Sequence, residues 1–263
     1  MKIWHQSSVD LENYPVYKAS LAKHYAKVAS PGTEIHLHGV PEQMWHGMSP
    51  SEVMRVPYAY HKAMSGQLLH NVYRAEQEGY DAFVIGTYTE PLLRECRSLV
   101  DIPVISMPES TVLISCSMAT KIGLVTLNDE NLWFLKNAMH RHQFEGRVSG
   151  IYVIEPQLPE REMDAVFLNP TDYIEAFLHT ARRAIKEGAD LIIPAEGLVA
   201  EVLAANDVFE VDGVSILDGV GAPLMYAEML ARLHKLTGLH AGRQWHYRKP
   251  SPELLKLYPA SLE

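Results

Sequence analysis

Cysteine is almost absent. Cys96 and Cys116 are the only two in 263 residues and form no C-x-x-C pair, so neither a disulfide framework nor a zinc cluster is expected. Both fall in segments expected to be helical, which favours small buried hydrophobes over nucleophiles. Long apolar runs are missing too. No stretch approaches the roughly 18 apolar residues a membrane span needs, and the opening MKIWHQSSVD lacks the apolar core of a secretory leader. A cytoplasmic protein with no membrane partner is the expectation. Positive charge is in deficit: with a net charge of −9 and no basic run, nucleic acid and anionic surfaces are poor partners. Thirteen histidines are present, but only His36 and His38, in HLH, share one strand face. Without a third ligand at telling spacing, no metal site is expected.

What the chain does have is enough apolar residue, 47%, to fill one large α/β core or two small ones. It also repeats itself. EGYDAFVIGTY, starting at Glu78, returns as EGADLIIPAEG starting at Glu187, 109 positions later. The offset pairs Gly79 with Gly188, Asp81 with Asp190, Phe83 with Ile192, Gly86 with Ala195 and Thr87 with Glu196. In each copy a charged helix ends at a glycine, then a short apolar run reads as a buried parallel strand.

Other segments recur in the same order. KIWHQS is answered by KIGLVTL, EIHLHGV by GIYVIE, the helix expected at 61–77 by one at 171–186, and VDIPVIS by the strand expected at 214–217. Further helices are expected at 15–28, from about Pro91 to Leu99, and after Asp218 up to Gly238. The predicted architecture is therefore two pseudo-symmetric α/β lobes, each a parallel sheet flanked by helices, with the active-site cleft between them. The first lobe takes residues 1–108 plus the C-terminal helix and tail at 219–263, and the second takes 109–218. Residues 41–60, rich in Met, aromatics, Ser and Pro, exceed an ordinary connection and make a candidate lid. Met-rich apolar segments and the aromatic tail point to a homo-oligomer.

In open parallel sheets, ligands bind beyond the carboxyl ends of the strands, and Thr87 and Glu196 arrive there on opposite lobes. In GTYTEP, Thr87 and Thr89 offer hydroxyls just before a helix start, a setting suited to a carboxylate or an enolate-like oxyanion. Ordinary N-capping by Thr89, with Glu90 in the first turn, is the alternative. Glu196, following an apolar strand, is the candidate acid/base, its carboxyl expected to be raised by burial, or else a simple cap. Glu109 and Asp218, just beyond each lobe's last strand, read as helix caps. Gln6, Ser7, Thr126 and Asn128 after the first strands, Tyr88 as an aromatic wall, and Ala195 and Gly197 beside Glu196 complete the candidate substrate-binding set. His5 and His46 are weaker pocket candidates.

KEGADLIIPAEG, VDIPVISMPEST, KIGLVTL and SILDGVGAPL, in that fold order, resemble the aspartate/glutamate racemase superfamily, in particular its hydantoin racemase branch, from Lys2 to Leu236. The resemblance implies the two-lobe fold, no cofactor, and proton removal next to a carboxylate or carbonyl by one cysteine with return from the other face by a second. Members include amino-acid and hydantoin racemases, maleate isomerases and arylmalonate decarboxylases. By position the first family cysteine falls on Thr87 and the second on Glu196, so both thiols are replaced, and the carboxylate contacts fall on Thr89, Thr126 and Asn128. The expected function is a cofactor-independent isomerase or racemase acting on a small carboxylate or cyclic amide, with Glu196 as acid/base and the Thr87/Thr89 loop as holder. A hydrolase or decarboxylating lyase using Glu196 to activate water, and a non-catalytic metabolite-binding protein, are the alternatives.

Overall fold

The computed structural model describes residues 1–156 and 163–259. The first repeat runs β1 (Lys2–Ser7), α1 (Pro15–Val28), β2 (Glu34–His38), α2 (Pro50–Met54), α3 (Pro57–Gln77), β3 (Ala82–Gly86), α4 (Leu93–Leu99) and β4 (Val104–Ser106). The helix α5 (Met107–Ser115) leads to β5 (Ile122–Thr126), α6 (Asp129–Arg141), β6 (Val148–Val153), α7 (Met163–Leu168), α8 (Thr171–Lys186), β7 (Leu191–Pro194) and α9 (Gly197–Ala205). A hairpin of β8 (Glu210–Val211) and β9 (Val214–Ser215) follows, then α10 (Gly221–Thr237) and α11 (Pro252–Leu257).

Two parallel sheets result, ordered β2-β1-β3-β4 and β6-β5-β7. Their apolar strands are buried on both faces, as parallel sheets require, and Phe83, Ile85, Ile192 and Ile193 are each at most 1% exposed. One continuous core joins the sheets, carrying Ile3 and Val84 of the first together with Leu124 and Ile193 of the second.

The repeat holds atom by atom. Gly79 and Gly188 both take left-handed backbone, at φ +74° and +101°. Each closes its helix with the same pair of bonds: Gly79 N to Glu76 O and Tyr80 N to Ala75 O in α3, Gly188 N to Ile185 O and Ala189 N to Ala184 O in α8. The next residue then hydrogen-bonds the start of the neighbouring strand, Asp81 N to Lys2 O at 2.7 Å and Asp190 N to Lys121 O at 2.8 Å. Register follows, with Ile3 beside Ala82 and Ile122 beside Leu191. Glycine at the helix end and an apolar run behind it are thus sufficient to build the same strand twice.

Four boundaries differ from expectation. The long helix begins at Pro57, not His61, because Pro57 supplies the favoured proline of the first turn. The helix expected at Pro91 begins only at Leu93, because Glu90 and Leu92 sit at φ +39° and +54° and cannot be helical. The strand expected at 214–217 instead pairs backwards as the hairpin β8–β9, leaving a single parallel bridge from Ile216 to Ile192. Cys116 caps the end of α5 rather than lying inside it. No described helix is long and apolar enough to cross a membrane.

α10 packs on β3, β4 and α5. Beyond it the tail is pinned to the first sheet's helices by Arg243, which donates to the carbonyls of Arg97 and Val100 and pairs with Asp101 at 2.6 Å.

Candidate functional site

At the carboxyl end of β7, Ala195 is fully buried and bonds Val125 O through its N–H at 2.7 Å. Glu196 comes next, partly exposed, in extended backbone at φ −162°. Its carboxylate accepts Val199 N–H at 3.1 Å, so the side chain caps α9 and is fixed in direction. Burial is therefore shallower than the sequence suggests. Gly197 opens the helix against Tyr17, whose hydroxyl lies 3.4 Å from where a Cβ would sit. The phenols of Tyr88 and Tyr173 are raised well above their ordinary value, first by burial and further by negative charge, that of Asp218 and then Glu196 for Tyr88 and that of Glu196 for Tyr173.

At the end of β3, Gly86 sits so close to the His5 ring that an added Cβ would overlap it. Thr87 follows, partly exposed. Because α4 starts late, its N-terminus is not in this loop, and neither the helix-end anion site nor capping by Thr89 is found there. The hydroxyls bond each other instead: Thr87 Oγ1 and Thr89 Oγ1 are 3.2 Å apart, and the Tyr60 hydroxyl is 2.5 Å from Thr89 Oγ1. Tyr88 donates to Gly219 O, just before α10, at 3.0 Å.

The remaining candidates divide. Ser7 is buried, and its Oγ accepts Val9 N–H at 3.3 Å. Thr126, also buried, donates to Ala195 O at 3.2 Å and so ties β5 to the Glu196 loop. Asn128 caps α6 through Asn131 N and donates to Ser51 at 3.3 Å. Gln6 is a correction. Its oxygen accepts from Trp4 and Asn71 and its amide donates to Ser7 O and Gly39 O, which fills its hydrogen-bonding capacity inside the core. Glu109 does not cap α5; Ser106 does, while Glu109 pairs with Arg97. His36 bonds Tyr80 at 2.6 Å, His38 stacks on Trp4 at 3.5 Å, and His46 is exposed. Buried His5 bonds Tyr25 at 2.9 Å, and burial lowers its ring to about 3, so it is neutral.

Residues 41–60 form a structured bridge. A single tight turn (Glu42–Met44) leads to Trp45, 1% exposed and stacked on Tyr60 at 6.5 Å. Ser49 and Glu52 make reciprocal side-chain to backbone bonds at the start of α2, a capping box contributing about 1 kcal/mol. Across the gap, Tyr60 meets Phe134 of α6 edge-on at 5.4 Å and Arg55 pairs with Glu130 at 2.5 Å. The segment therefore spans both lobes above the strand ends.

Tyr60 carries no sequence signal, and neither do two histidine bridges. His24 of α1 stands between Glu201 and Asp218, at 2.7 and 2.9 Å. Burial works to lower its ring, but bonds to Asp218 and Glu201 outweigh it and lift the ring to about 9. Asp218, opposed by burial but bonded to His24 and to Val220 and Gly221 N–H, is held below the usual carboxylate range. In the other repeat His142 stands between Glu90, at 2.8 Å, and Glu109, at 3.6 Å. There the carboxylates also have Arg141, 3.3 Å from Glu90, and Arg97, on Glu109.

Comparison with known proteins is consistent with this geometry. The family model described as Asp/Glu/Hydantoin racemase matches residues 16–227. A hydantoin racemase of Pseudomonas sp. (strain NS671) is 28% identical over 171 residues, 65% of this chain and 66% of that protein. Among solved structures, allantoin racemase from Pseudomonas fluorescens superposes with a TM-score of 0.76 at 21% identity, covering 96% of this chain and 98% of the other. Allantoin racemase from Klebsiella pneumoniae gives 0.75 at 21%, covering 95% and 94%. At such identities these structures establish the shared fold.

Proposed function

Because this chain belongs to the Asp/Glu/hydantoin racemase family, we propose that it is a racemase-type enzyme that moves the proton on the carbon next to the carbonyl of a small cyclic amide of the hydantoin or allantoin kind. The observation that carries the proposal is the pair of strand ends. One sequence design, repeated in register, presents Glu196 from the second repeat and Thr87 from the first. Glu196 takes the α-proton; its orientation is set by the cap on Val199, so little freedom is lost on binding. The backbone of the loop at Thr87–Thr89 holds the carbonyl oxygen as it gains negative charge, usually the larger energetic task. In place of the family's two thiols this chain sets a carboxylate and a hydroxyl, while Cys96 lies buried in α4 and Cys116 ends α5. No cofactor enters these steps.

The test is incubation of each enantiomer of 5-benzylhydantoin and of allantoin with the protein in D₂O at pH 7. The expected result is deuterium at the α-carbon and loss of optical rotation faster than without enzyme, the product otherwise unchanged in mass. A product altered by water addition or loss of CO₂ would instead make the protein a hydrolase or a decarboxylase. No turnover of either compound would contradict the proposal.

A further inference from the structure

One carboxylate accounts for proton exchange on a single face of the substrate; inversion requires a proton from the other. Thr87 stands at the position equivalent to Glu196 in the opposite repeat, but an isolated threonine hydroxyl is far too weak an acid to serve as a proton source by itself. It is not isolated. We infer that Tyr60, acting through the hydroxyls of Thr89 and Thr87, supplies the proton on the face opposite Glu196, so that this chain racemises with a carboxylate on one side and a three-hydroxyl line on the other. The inference rests on the proposed proton-transfer function.

Three observations converge on it. First, the line is continuous: Tyr60 hydroxyl to Thr89 Oγ1 at 2.5 Å, Thr89 Oγ1 to Thr87 Oγ1 at 3.2 Å. Each spacing is within hydrogen-bond range, the first at the short end of it. Second, the line ends at the partly exposed residue: Thr87 Oγ1 also accepts the N–H of Thr89 at 3.5 Å, so when Thr89 and Tyr60 donate along the line, the hydrogen of Thr87 is left for a group outside it. Tyr60 and Thr89 are buried, at 6% and 4% exposure. Third, the far end can be recharged. A cavity of about 170 Å³ beside the line, of mixed lining that includes Tyr60, His61, Met64, Thr89, Glu90 and Leu92, is roomy enough for several waters.

The protons balance. Glu196 carboxylate takes the α-hydrogen, the C–H electron pair passing to the enolate. Thr87 then gives its hydroxyl proton to the opposite face of the carbon, takes that of Thr89, and Thr89 takes that of Tyr60. Inverted product remains, with Glu196 protonated and Tyr60 as phenolate. Turnover of the opposite enantiomer resets both groups directly. Otherwise Glu196 releases its proton to water and the phenolate recovers one from water in the cavity. Neither Tyr60 nor Thr89 touches substrate in this scheme; both act through Thr87.

Tyr60→Phe removes the proton source and keeps the ring that stacks on Trp45, so the fold is preserved. In D₂O, each enantiomer of 5-benzylhydantoin and allantoin is followed both for α-deuterium and for inversion. Wild type is expected to do both with either enantiomer. Y60F and Thr89→Val are expected to lose inversion by about 10²-fold or more, while the one enantiomer whose hydrogen faces Glu196 still gains deuterium with retained configuration. Thr89→Ser, which restores the hydroxyl, is expected to restore inversion. A merely structural role for Tyr60 would lower exchange and inversion together, and that outcome would overturn the inference. Inversion within a few-fold of wild type in Y60F would also overturn it while leaving the proposed function intact. No exchange by wild type would remove both.

Discussion

Up to their last residues β3 and β7 are interchangeable: each is launched from the same glycine-closed helix end, docks on its neighbour in the same register and is buried on both faces. Beyond them they part. After β7 the chain turns almost at once into the nine-residue α9, and Glu196, following Ala195, is taken up as its cap. After β3 the chain spends 87–92 in a loop with two left-handed residues before α4 starts, which leaves Thr87 and Thr89 to bond each other and Tyr60. A delay in helix initiation is enough to convert two equivalent positions into an oriented carboxylate and a line of hydroxyls. Symmetry supplies the placement, and the local break in it supplies the chemical difference.

The largest effect is expected where the two loops differ most. Glu196→Gln keeps an oxygen to cap Val199, so stability should change by no more than about 1 kcal/mol, while α-deuterium exchange should fall by about 10²- to 10⁴-fold. Thr87→Val should reduce inversion more than exchange. If both variants were impaired equally in both measurements, the two positions would not have distinct roles.

Next come the two histidine bridges, alike in shape and unlike in charge. His24 is the cation between Glu201 and Asp218, whereas the carboxylates around His142 also have Arg97 and Arg141. His24→Gln should therefore destabilise the fold by about 3–5 kcal/mol, as expected when a buried pair loses one partner, and His142→Gln by clearly less. The pH dependence carries a definite sign. With its folded value near 9 against an ordinary 6.5, His24 contributes fully below about pH 6.5 and loses that contribution as pH rises through about 9. Asp218, depressed, contributes above the ordinary carboxylate range and loses its share as pH falls through its lowered value. Thermal melts of wild type should accordingly fall between pH 7 and 10. H24Q should lose this decline.

The smallest effects test how alike the halves are. Alanine at Gly79 or at Gly188 would place its Cβ within 4 Å of no described atom, so each substitution costs only the left-handed backbone, about 1–2 kcal/mol. Equal losses by chemical denaturation, with activity unchanged, are expected. Unequal losses would mean that the two strand launches are not equivalent.

Much of this was legible in the sequence for a physical reason. Helix-ending glycines and buried apolar strands are written within a dozen residues, so the repeat, both sheets and the strand-end placement of Thr87 and Glu196 could be read directly. The bridges could not be. His24 meets its carboxylates 177 and 194 residues away, and Tyr60 meets Thr89 across 29, distances over which no spacing rule operates. Gln6 looked available for the same reason, since the four groups that saturate it come from β1, α3 and the loop after β2. The late start of α4 was hidden because non-glycine residues, Glu90 and Leu92, take up the left-handed turns. Residues 41–60 were recognisable as unusual, but their capping box and the contacts of Tyr60 to both lobes needed coordinates.

The most direct test is a crystal structure of the protein with a hydantoin or allantoin bound. The α-carbon is predicted to lie between the repeats, with a Glu196 carboxylate oxygen and the Thr87 hydroxyl each within roughly 3–3.5 Å on opposite faces, the range of a near-attack geometry. A ligand seated elsewhere, or held with both groups on one face, would contradict it.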